Sequence, residues 1–78
     1  MNGTSGRLRP AVEAYLTGAE MTDEQIAAMR AYLRQWIAAP AWRGPNIPAL
    51  RGAVDGLTTV WGLRQWLDLA LENGIDPL

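Results

Sequence analysis

The chain has 78 residues, 49% of them hydrophobic and four of them Trp, with a formal net charge of −1; a chain of that size forms one domain with a small core. It contains no Cys, no His and no Lys, which removes disulfides, thiol chemistry, Cys/His metal sites, the commonest general base and Schiff-base catalysis. No catalytic residue, cofactor or metal is therefore expected, and the expected fold is all-α, a small compact bundle of three to four short helices.

Residues 1–7, beginning MNGTSG, are small and polar and read as a flexible tail ahead of a single helical domain over 8–78. A first helix fits Pro10 to about Thr17, with Pro in the first turn and Val12, Tyr15 and Leu16 at helical spacing. Gly18 stops it. The second helix has the fullest signature. Thr22 is a suitable N-cap, Gln25 three residues on completes a capping box, and Met21 with Ile26 matches a hydrophobic staple. Asp23 and Glu24 sit at the positive end of the helix dipole. Ile26, Met29, Leu33, Trp36 and Ile37 follow in steps of three and four, an apolar stripe, and Pro40 ends the helix near Ala38 or Ala39.

The segment 40–48, PAWRGPNIP, is a loop with restricted backbone freedom. A third helix fits Pro48 to about Asp55, weakened at Gly52, with Leu50, Val54 and Leu57 as its apolar contacts. The fourth starts at a Thr58 or Thr59 cap and runs to Asn73. Its expected stripe is Val60, Leu63, Leu67, Ala70 and Leu71, with Trp66 on the flank. Asn73 and Gly74 form a left-handed stop that lets Ile75 fold back. The second and fourth helices are expected to be the main packed pair.

Charge is uneven along the chain. Residues 1–24 carry net −2, residues 25–54 carry four Arg (Arg30, Arg34, Arg43, Arg51) and no acid, and residues 55–78 carry net −3. Arg30 and Arg34 are four apart and share a helix face. The basic middle either contacts a partner or neutralises the acidic ends. Trp36 and Trp66 read as core. Trp42 and Trp61 lie off the main stripes and either pack under a loop or stand displayed; Trp and Arg dominate binding hot spots, and a rigid loop loses little entropy on binding. Trp42 with Arg43 is thus the expected centre of an interface that also draws on Arg30, Arg34, Arg51 and Trp61.

Two functions compete. The first is a non-catalytic protein–protein interaction module, a small inhibitor or adaptor. Its Arg-only basic set and Ala, Gly and Pro content suit a high-GC genome, and its size suits a phage or mobile-element product that blocks a host defence complex such as a CRISPR effector. The second is a helix-turn-helix-like nucleic-acid binder using the central Arg cluster; a pI near 5.1 weighs against it. Asp68 and Glu72 read as a solvated face rather than a catalytic pair. No segment has the roughly 20 apolar residues that cross a bilayer and the N-terminus lacks a signal-peptide core, so the cytoplasm is the expected compartment, and the chain a monomer or a homodimer.

Overall fold

Two threonines and two glycines mark the ends of the helices. In the computed structural model, which describes the backbone of residues 3–78 and the side chains of residues 8–78, four helices follow in order. They are α1 (Gly3–Thr17), α2 (Asp23–Ile37), α3 (Ile47–Ala53), which tightens into a 3₁₀ turn at Val54–Gly56, and α4 (Val60–Glu72). The described residues include no strand. No helix among them is long and apolar enough to cross a membrane.

Thr22 caps α2 as its sequence predicts. Its hydroxyl accepts from the Gln25 amide at 3.1 Å, and the Gln25 side chain accepts from the Thr22 amide at 2.9 Å. Thr59 caps α4 by accepting from the Gly62 amide at 3.0 Å. At the other ends, Gly18 and Gly74 have positive φ (75° and 76°). Beyond Gly74 the Ile75 amide returns to the Ala70 carbonyl at 2.9 Å, and the Gly74 amide to Leu71 at 2.9 Å, a Schellman closure. Ile75 is carried into the core by that turn.

Three expectations need correction. First, α1 begins at Gly3 rather than Pro10. The fixed φ of Pro is itself helical, so Pro10 deletes the bond to the Gly6 carbonyl without ending the helix. The segment read as a tail is thus helical from Gly3; Met1 and Asn2 lie outside the described residues. Second, the buried arcs are rotated from the expected ones. On α1 the inward residues are Ala11, buried, with Leu8 and Tyr15 half-buried against the core, while Leu16 is 64% exposed. On α4 they are Leu63, Trp66, Leu67 and Ala70, while Leu71 is 59% exposed. Of the two Trp on α4, Trp66 is the one whose Nε1–H finds a partner inside, the Leu50 carbonyl at 2.9 Å, so the arc turns to include it. Third, the closest backbone packing is α1 on α2, not α2 on α4. The short connection between α1 and α2 keeps those two helices adjacent, whereas α4 packs mainly on α3, where Trp66 reaches the Leu50 carbonyl.

The core runs through all four helices: Met29, Leu33, Ile37, Leu50, Val54 and Leu63 are its largest fully buried side chains. The radius of gyration, 12.1 Å, is close to the ~11.5 Å of a folded chain this long. No charged or polar residue is buried among the described residues.

Candidate interaction surface

The acid-free run from Gln25 to Val54 sends its four guanidinium groups to the end of α2 and to the turn that follows α3. A helix C-terminus presents unsatisfied carbonyls and a partial negative charge, which an Arg can satisfy. Arg51, on α3, does this for α2: its Nε donates to the Ile37 carbonyl and its Nη2 to the Ala39 carbonyl, both at 2.9 Å. Arg30 and Arg34 share a face, as their spacing predicts, and that face meets the 3₁₀ turn. Arg30 donates to the Leu57 carbonyl at 2.8 Å. Arg34 pairs with Asp55 at 3.1 Å, with both side chains about two-thirds exposed, so the pair contributes less than about 1 kcal/mol. Arg43 folds back on the Pro40 carbonyl at 2.6 Å.

Trp42 is half-buried rather than displayed. Its ring lies over Trp36, centroids 4.3 Å apart at 32°, and its Nε1–H donates to the Trp36 carbonyl at 2.9 Å. The rigid loop therefore uses this indole to close the end of α2. Asn46 ties the same loop to α4 by donating to the Asn73 side chain at 3.3 Å.

Trp61 has a different fate. It stands 68% exposed at the start of α4, on the side opposite Leu63, Trp66 and Ala70. Further along the outward side lie Arg64, Gln65, Asp68, Leu71 and Glu72, all exposed. Tyr15 of α1 borders this face. Burial raises its phenol above the ordinary Tyr value, while the neighbouring Arg64 guanidinium pulls the other way and the Asp68 carboxylate adds to the rise.

No family model matches this chain, and neither a curated protein nor a solved structure is detectably similar to it. What the molecule can do must be read from its own surface.

A second surface feature is an open groove of about 420 Å³ lined by Leu8, Val12, Tyr32, Pro77 and Leu78, with Arg9 and Glu13 at its polar edge. The Tyr32 hydroxyl donates to the Pro77 carbonyl, pinning the C-terminal residues across α2. Sequence reading missed this groove. Its partners are 45 positions apart, and no local pattern reports such a pairing. The Arg51 cap was also missed, although an Arg following a proline-rich loop after a helix end was a usable signal.

The six residues singled out from the sequence thus divide. Arg30, Arg34, Arg43 and Arg51 ring the turns and the end of α2, Trp42 closes that same end, and Trp61 lies apart on α4.

Proposed function

We propose that this chain is a non-catalytic protein-interaction module of the cytoplasm, a small inhibitor or adaptor, whose contact surface is the outward face of α4. The class includes phage and mobile-element proteins that block host defence complexes such as CRISPR effectors. The observation that carries this reading is the exposure of Trp61. An indole left in water forfeits the largest hydrophobic gain of any side chain, and Trp is the residue type most enriched at energetic hot spots. Charged and amide side chains around it supply the polar rim that interfaces use.

The nucleic-acid reading has less support. It needs guanidinium groups free to reach phosphates, and Arg30 and Arg51 each donate to carbonyls of their own chain. A photo-crosslinking side chain placed at position 61, with the same probe at position 42 for comparison, tests the proposal in a bacterial lysate. Protein adducts at 61 that untagged protein competes away, and that position 42 does not form, are the expected result. Binding of a 20-base-pair duplex that weakens steeply and log-linearly with salt, and that is lost on Arg43→Glu, would overturn it.

A further inference from the structure

The outward face of α4 has an order that composition does not require. Trp61, Arg64, Asp68 and Leu71 are spaced by three, four and three residues, the spacing of a coiled-coil seam. Two of them, Trp61 and Leu71, are the exposed large apolar residues of this helix, and all four side chains are exposed. The seam is also self-complementary when reversed: apolar, cationic, anionic, apolar meets apolar, anionic, cationic, apolar. Laid antiparallel on a copy of itself about a two-fold axis at position 66, it sets Trp61 against Leu71 and Arg64 against Asp68, each pair occurring twice. Glu72, the remaining charge on α4, then falls beside the N-terminal turn of the other helix. That turn contains no acidic residue and carries the positive end of the dipole. A parallel arrangement would put Arg64 against Arg64 and Asp68 against Asp68. The charges therefore select one orientation.

We infer that the partner bound by this face is a second copy of the chain, in an antiparallel α4–α4 homodimer with Trp61 packed on Leu71 at both ends of the seam. This rests on the reading of α4 as an interaction surface and names its occupant. A two-fold interface is self-complementary, and this face meets that condition in both its apolar and its charged pairs. The exposed Arg64 guanidinium has five N–H donors in a planar fork to offer the second copy's carboxylate. Apolar packing supplies the affinity, because an interfacial ion pair roughly breaks even against its desolvation and serves mainly to set register and orientation. With only 13 residues in α4, about 20 Å of helix, the contact is smaller than a standard interface. The dimer is therefore weak and reversible.

Sedimentation-equilibrium ultracentrifugation of the full chain from a few micromolar to about a millimolar tests this directly. The expected result is a monomer–dimer equilibrium that Trp61→Ala weakens at least tenfold, as loss of a hot-spot Trp does. Arg64→Asp and Asp68→Arg, each alone, oppose like charges and weaken it too. The double variant R64D/D68R restores complementarity and with it the dimer. Circular dichroism of each variant establishes that the helices persist, and Tyr15→Phe, which removes only the bordering hydroxyl, leaves dimerisation intact. A wild-type chain that stays monomeric at a millimolar, or a double variant no better than the singles, overturns the homodimer. The crosslinking at position 61 separates the two claims: adducts of twice the chain mass support self-association, whereas competable adducts only with other proteins leave α4 an interaction face and remove the second copy as its occupant.

Discussion

Arg51 looks like a surface charge in the sequence, and reversing it looks harmless. Its two hydrogen bonds to the Ile37 and Ala39 carbonyls change that expectation. Arg51→Ala should destabilise the fold by about 1.5–2 kcal/mol, the lower part of the range for charge-assisted bonds because the site is partly solvated. Lys should restore little, since it lacks the planar fork that reaches two carbonyls at once. Urea midpoints of the three proteins check this, and equal midpoints would contradict it. Tyr15 gives a pH signature at the same scale. Its phenol is raised in the folded state by burial, so the unfolded chain ionises first as pH climbs past about 10. The stabilisation is fully present below the unfolded value and is lost as pH rises through the folded one. Tyr15→Phe should therefore flatten the alkaline fall in stability, measured as the urea midpoint between pH 8 and pH 11. Arg51 left a partial trace in residue order, an Arg following a proline-rich loop after a helix end, whereas the burial of Tyr15 left none, because it depends on neighbours brought from another helix.

Helix ends, by contrast, are local, and their tests are correspondingly simple. Thr22→Ala removes one half of an observed capping box and should cost about 1 kcal/mol. The glycines give a pair of opposite sign. An added Cβ meets nothing within 4 Å at Gly74 or at Gly52, so space decides neither substitution. Gly74 has φ of 76°, where an L side chain costs roughly 1–2 kcal/mol, and Gly74→Ala should destabilise by about that amount. Gly52 lies in α3 with no such strain, and Gly52→Ala should stabilise by about 0.5–1 kcal/mol through the entropy of the unfolded chain. Denaturant titration reads both, and a common sign would show that one of the two backbone conformations is wrong. The same locality explains why α2 and α4 were placed within a residue or two from the sequence while α1 was not. Pro10 gave a strong start signal, but its fixed φ also fits a helix interior, where it is tolerated at the cost of one backbone hydrogen bond and crowding against the carbonyl four residues before.

For the whole molecule, one residue joins otherwise separate parts. Trp66 is 3% exposed and its indole N–H bonds to the Leu50 carbonyl of α3, so it ties α4 to α3 across the core. A domain of this size has on the order of 4–12 kcal/mol of stability. Trp66→Ala should remove about 3–5 kcal/mol, enough to broaden or abolish the thermal transition followed by circular dichroism. Trp61→Ala, on the same helix but outside the core, should leave the midpoint within about 0.5 kcal/mol of the parent at concentrations where the chain is monomeric. Reversal of that order would mean that the buried arc of α4 has been assigned to the wrong side.

Sequence alone determined what lies within one turn of helix: the all-α class, the Thr22 capping box, the Gly18 and Gly74 stops, and the Ile26–Met29–Leu33–Ile37 stripe. Capping, propensity and periodicity act over three or four residues and leave a direct trace in residue order. Tertiary structure decided the rotation of α1 and α4 about their axes. Periodicity tolerates a shift of about 100°, one residue, and only the competition among Trp66, Leu67 and Leu71 for a limited core volume selects which side chains are buried. Trp66 is buried as its sequence context predicts, but the rotation that centres the arc on it left Leu71 outside, in line with Trp61, Arg64 and Asp68. Tertiary structure also sorted the arginines, since a guanidinium goes to the nearest unsatisfied carbonyl or carboxylate, and those were supplied by segments up to 27 positions away.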